Sequence, residues 1–139
     1  MEIKRELLQQ IRDIISQSRE RAIRSVDHER VVMYWHIGKV IFEEEQQGEV
    51  RAAYGSFLIQ SLSKQLQPQF GSGFSKRHLY WYVQFYRTFP FVNALRTQFN
   101  WTHYRNLISI ENEDKREFYI AEAEKNNWSA KEIWNKLNK

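Results

Sequence analysis

The stretch Ser75-Lys76-Arg77-His78-Leu79-Tyr80-Trp81-Tyr82-Val83-Gln84-Phe85-Tyr86-Arg87 decides the fold class. Leu79, Tyr82/Val83, Phe85/Tyr86 and Phe89 recur at three- and four-residue steps. That is the period of a helix burying one stripe, whereas a strand would alternate every second residue. Ser75 stands where an N-cap belongs, and Pro90 closes the run. Lys76, Tyr80, Gln84 and Arg87 share a second face, with Arg77 and Trp81 beside it.

The same period governs the flanks. Residues 2–25 read as a helix with Ile3, Leu7, Ile11, Ile14/Ile15 and Ala22 on its apolar side. Asp27 is placed to cap a second helix that runs to about Gln47 and stops near Gly48. Gly38 inside that helix costs about 1 kcal/mol against alanine, which close packing of another helix would explain. Glu43-Glu44-Glu45 sits at the helix end where the dipole disfavours acids, as a solvated run. A third helix covers Tyr54 to Gln67, with Phe57/Leu58, Ser61/Leu62 and Leu66 inward. Pro68 and Gly71-Ser72-Gly73 break it.

Beyond Pro90, a fifth helix begins near Asn100 or Thr102 and a sixth spans Glu113–Asn126. Ser129-x-x-Glu132 forms a capping box for a short last helix. No segment alternates at two residues, and Val50–Tyr54 carries the weakest helical signal. The expectation is an all-α, compact multi-helix domain over residues 1–139. It divides into an N-terminal helical pair (1–50) and two helix–turn–helix candidates (54–90 and 100–138).

Charge is distributed unevenly. Residues 51–110 contain no Asp or Glu, where the average frequency would place about seven. The same window keeps seven Lys and Arg and 14 of the 21 aromatics, while the flanking segments carry −2 and −1. A sided positive field attracts a polyanion, since bound phosphates release counterions and no carboxylate repels them. The composition also fits a packed aromatic middle with few exposed positions for acids.

Zero Cys excludes disulfides, thiolate metal sites and cysteine nucleophiles. Together with an N-terminus lacking an apolar leader, it suits a cytoplasmic protein. No 18-residue apolar run is available to span a membrane. Four His at 28, 36, 78 and 103 lack a zinc spacing, and no phosphate-binding glycine loop or nucleophile motif occurs. No cofactor or metal is expected.

Two segments fit DNA-reading geometry, in which one stripe is buried and the first turns of the reading helix meet bases and phosphates. In Phe57–Phe89 the candidate contacts are Ser75, Lys76, Arg77, Tyr80, Trp81, Gln84 and Arg87. Lys76 and Arg77 suit phosphates or a guanine edge, and Gln84 suits adenine. In Trp101–Leu137 they are His103, Arg105 and Lys131, because the acids of residues 111–124 make that helix a poor phosphate partner. For His103 the competing role is a helix-end histidine bound to a backbone carbonyl. The string Asn100-Trp101-Thr102-His103-Tyr104-Arg105-Asn106-Leu107-Ile108, with the later Trp128-Ser129-Ala130-Lys131-Glu132-Ile133, resembles the helix–turn–helix region of ParB- and KorB-type DNA-binding proteins.

Further strings run in order along nearly the whole chain. They are Val31-Val32-Met33-Tyr34-Trp35-His36-Ile37-Gly38, Tyr54-Gly55, Leu62-Ser63-Lys64-Gln65-Leu66 and Phe70-Gly71-Ser72-Gly73-Phe74-Ser75-Lys76-Arg77-His78-Leu79. Gln84-Phe85-Tyr86, Trp101-Thr102-His103-Tyr104, Arg116-Glu117-Phe118-Tyr119 and Trp128-Ser129-Ala130-Lys131-Glu132-Ile133 complete the set. Together they resemble the N-terminal domain of the YhcG family of bacterial proteins. In that family the domain precedes a nuclease domain of the PD-(D/E)xK class. The resemblance therefore implies the DNA-engaging or assembly half of a nuclease, and it does not say which nucleic acid is bound; the partner expected from the helix–turn–helix candidates is double-stranded DNA.

The nuclease half itself is not recognisable in this sequence. Glu2-Ile3-Lys4 and Glu113-Asp114-Lys115 match the Glu-x-Lys spacing, but neither follows a strand or a Pro-Asp pair, and a metal nuclease needs its carboxylates gathered on a sheet. A non-catalytic module is expected. The competing expectation is a protein-interaction or dimerisation module, with the long apolar stripes of the first two helices as its interface.

Overall fold

Between Arg5 and Glu45 the chain has one glycine and no proline, and it folds as a single helix of 41 residues, α1 (Arg5–Glu45). This corrects the expected helical pair. With no breaker between Ala22 and Val31, helical propagation outweighs the capping potential of Asp27, which lies mid-helix. The structure, a computed structural model, describes residues 5–46 and 51–139. The expected stop at Gly48 lies outside them.

The remaining helices are α2 (Arg51–Phe70), α3 (Lys76–Thr88), α4 (Trp101–Ile108), α5 (Glu113–Asn126) and α6 (Ala130–Leu137). Single 3₁₀ turns at Ser72–Phe74 and Val92–Ala94 precede α3 and α4. No strand occurs among the described residues, so the domain is all-α. Pro68 does not break α2 where expected. Lacking an N–H, it forfeits one backbone bond within the last turn, and the helix reaches Phe70 before ending. The reversal comes at Gly71, whose φ of 98° suits glycine and whose N–H reaches the Gln67 carbonyl at 2.8 Å.

Caps set the other boundaries where the sequence puts them. Ser75 Oγ accepts from the His78 N–H, opening α3. Asn100 forms a capping box with His103 at the start of α4, Asn112 caps α5, and Ser129 with Glu132 boxes α6. Asn127 closes α5 in the left-handed conformation at φ 52°.

α3 is the centre of the core. Its Phe85, with Phe89 just past its end, packs with Val31 and Trp35 of α1 and with Leu95, Phe99, Tyr104, Leu107, Ile120 and Ile133. Its Leu79, Tyr82 and Val83 form a second cluster with Ile41, flanked by Leu58, Ile59 and Leu62 of α2. Trp35 donates its indole N–H to the Phe89 carbonyl at 2.6 Å, and Tyr82 donates to the Gly73 carbonyl at 2.7 Å. Tyr34 stacks on Tyr82 at 4.2 Å. The expected inward face of α2 holds at Leu58, Ser61, Leu62 and Leu66, whereas Phe57 faces solvent. In α1, burial against the body begins at Asp27; every side chain from Arg5 to Val26 is exposed, with Arg21, Arg24 and Ser25 lining a shallow cavity beside Thr97 and Gln98.

Candidate nucleic-acid interface

The first turn of α3 sets the site. Ser75 holds His78 through two contacts, the cap from the His78 N–H at 3.3 Å and a 2.7 Å approach of His78 Nδ1 to Ser75 Oγ. Arg77 is exposed beside it, and Trp81 follows one turn later. α4 then supplies Arg105, whose guanidinium lies over the Trp81 ring at 5.0 Å. Arg77, His78, Trp81 and Arg105 together line a concavity of about 150 Å³. Burial and the positive charges of Arg105 and Arg77 hold His78 below its usual 6.5.

The surface continues across Trp81 and Arg105 into a wider cleft of about 700 Å³ between α3, α4, α5 and α6. Lys115 and Trp134 line it, with Asn106, Asn112 and Asn138 as polar walls and Glu111 as its acid. Asn106 donates to the Ala130 carbonyl at 2.8 Å, fixing α6 against α4. No carboxylate pairs with Arg77 or Arg105 among the described residues. Arg105 Nε is buried without a hydrogen-bond acceptor among the described residues. Its head group is therefore placed by stacking on Trp81, an arrangement that leaves the charge available to an incoming anion.

The structure thus brings together residues from both helix–turn–helix candidates, Arg77 and Trp81 from the first and Arg105 from the second. It separates others. Lys76 and Tyr80 line a different groove, of about 440 Å³, with Glu45 and the start of α2. Arg87 lies over Phe42 at 5.9 Å and beside Glu45, whose carboxyl burial raises and Arg87 lowers. The face shared by Lys76, Tyr80 and Arg87 therefore looks toward the acidic end of α1. Gln84 is half-buried on α3 one turn beyond Tyr80, and Lys131 is exposed at the start of α6, lining neither cavity.

His103 is buried and has a structural position. Its Nε2 lies 2.9 Å from the Trp128 carbonyl, so it donates there, and Nδ1 accepts from the Asn100 N–H at 3.1 Å. The neutral tautomer satisfies both contacts. Burial lowers its pKa from 6.5, opposed by the Trp128 bond, so the unfolded chain takes up the proton more readily. This contribution to stability is complete above about pH 6.5 and is lost as pH falls below it. Thermal melts should show a falling Tm from about pH 7.5 to 5.5, with a shallower slope in His103→Gln.

Lys115 and Trp134 in the wider cleft, and His78 in the smaller concavity, were not among the expected site residues. His78 sits inside the α3 string, and Trp134 follows the buried Ile133 on the outer side of α6, so both positions have a local signal. Their meeting with Arg105 is tertiary.

Among the described residues there is no group of His, Asp or Glu able to hold a metal ion, and no helix is long and apolar enough to cross a membrane. The profile of the DUF1016 N-terminal domain matches residues 10–139. The chain is 30% identical to the Escherichia coli K12 protein described as "Putative nuclease YhcG", over 90% of this chain and 43% of that protein. It therefore spans less than half the length of that relative. No solved structure gives a significant match. The chain belongs to the DUF1016 N-terminal domain family, the YhcG-type domain that its motifs resemble.

Proposed function

We propose that this domain is a non-catalytic, nuclease-associated module that binds double-stranded DNA in the cytoplasm through the Arg77–Trp81–Arg105 surface. The observation that carries this reading is the meeting of two unpaired arginines from separate helices around an accessible tryptophan. They sit within the 60-residue stretch that has no acid of its own. Guanidiniums free of carboxylate partners suit phosphate oxygens, and an aromatic plane beside them suits a base or sugar edge. α3 enters the groove as the reading helix of a helix–turn–helix-like unit, with α4 bracing it through Arg105. On this reading strand cleavage is the work of a separate domain of the PD-(D/E)xK class, as the family resemblance implies, and the relative sharing 30% identity is itself described as a "Putative nuclease".

Salt dependence tests the reading. Binding to a mixed-sequence duplex should weaken by at least an order of magnitude when salt rises about fourfold, the behaviour of several phosphate contacts released together. A folded domain that shows no salt-sensitive binding to any DNA or RNA at micromolar concentration would sink the proposal. The runner-up, an interaction module without nucleic-acid contact, would then be favoured, because α1 leaves a long apolar face uncovered.

A further inference from the structure

We propose that α1 pairs antiparallel with the α1 of a second copy of this chain. The inference stands apart from the nucleic-acid surface and rests on features which that surface does not use.

The first is an uncovered stripe. Leu7, Leu8, Ile11, Ile14, Ile15, Val26, Met33 and Val40 are each between 40% and 62% exposed. Leu8, Ile15 and Ala22 recur every seven residues, as do Val26, Met33 and Val40. At about 100° per residue this stripe lies about 180° around α1 from Val31, Trp35, Gly38 and Ile41, which bury against the body. It is therefore a second face, and α3 does not compete for it. A seven-residue repeat selects another helix as occupant, because it keeps an apolar seam facing a supercoiled partner.

The second feature is charge. Residues 5–25 hold five Arg against three acids, and residues 26–46 hold two basic residues against five acids. Parallel pairing would set like halves together, with an arginine-rich half beside its twin. Antiparallel pairing sets each basic half against an acidic one. It also sets Glu43 and Glu44, which oppose their own helix dipole, toward the basic half of the partner helix.

The third is fit. A register that pairs Leu7 with Val40 also pairs Ile14 with Met33 and places Ser18, Ala22 and Ser25 near the centre, where small side chains let the backbones approach. The stripe runs about 50 Å along a helix about 10 Å wide, so two copies bury on the order of 1,000 Å², the area a specific interface requires.

Sedimentation of the 139-residue chain should give a dimer. Ile11→Asp/Ile15→Asp, placed in the exposed half of α1, should convert it to a monomer with an unchanged near-UV spectrum. The absence of cysteine makes orientation readable with a short bis-maleimide linker. Mixed Leu7→Cys and Val40→Cys chains should cross-link to each other, while Leu7→Cys chains alone should not. A strictly monomeric wild type, a dimer that survives the double aspartate variant, a Leu7–Leu7 product, or a dimer giving neither product would each overturn the proposal.

Discussion

Gly38→Ala should lower the melting temperature by roughly 10 °C, the effect of about 3 kcal/mol in a domain of this size. A Cβ built at Gly38 falls 1.9 Å from the Tyr82 carbonyl oxygen and 2.5 Å from its carbon. Both are backbone atoms of α3, so no rotamer change relieves the contact. The crossing of α1 and α3 must open, and with it the stacking of Tyr34 on Tyr82 and the indole bond from Trp35 to Phe89. Helix propensity acts in the opposite direction, favouring alanine by about 1 kcal/mol, and is outweighed. Gly55 supplies the control. There an added Cβ meets only the Glu45 side chain, at 3.1 Å, which can move aside. Gly55→Ala should be neutral or slightly stabilising. Equal melting temperatures for the two variants would mean that the helices do not cross at Gly38 as described.

Arg105→Ala should weaken duplex binding by about tenfold or more and reduce the dependence of log K on log salt by about one. The residue contributes charge and also a plane stacked on Trp81 at 5.0 Å. Arg105→Lys keeps the charge without the planar fork, so it should recover the salt slope but only part of the affinity. If Arg105→Lys and Arg105→Ala bind equally well, the residue acts through packing alone. Fluorescence anisotropy at two salt concentrations separates these outcomes.

Much of the fold was legible because its signals are local. Ser75, Asn100 and Ser129 cap the helices that follow them, and the periodicity of Leu79, Tyr82, Val83 and Phe85 names a buried stripe. Gly38 announced a close crossing, although not which helix crosses it. Asp27 misled because a capping residue starts a helix only where the preceding chain stops, and nothing before it stops the chain. Leu7, Ile11 and Ile14 share a helical face in sequence, yet all three stay exposed among the described residues.

The candidate site was legible only in halves. The acid-free stretch located it, and Arg77, Trp81 and Arg105 were each identifiable as candidates. The cation stacked on the indole joins positions 24 residues apart, and no periodicity encodes that. Lys76, Tyr80 and Arg87 lined up on the helical wheel, but the wheel does not show that Glu45 of α1 lies across the groove from them.

The most direct test sets the two faces of α3 against each other. Arg77→Ala/Arg105→Ala and Lys76→Ala/Arg87→Ala each remove two positive charges, so their net charge is equal and only the location differs. Duplex binding should be measured by anisotropy at low and moderate salt, with folding confirmed by circular dichroism. The account predicts that the first pair loses most of the salt-sensitive affinity and the second retains most of it. Equal losses would reduce the site to general positive charge, and a greater loss in the second pair would place the DNA on the opposite face.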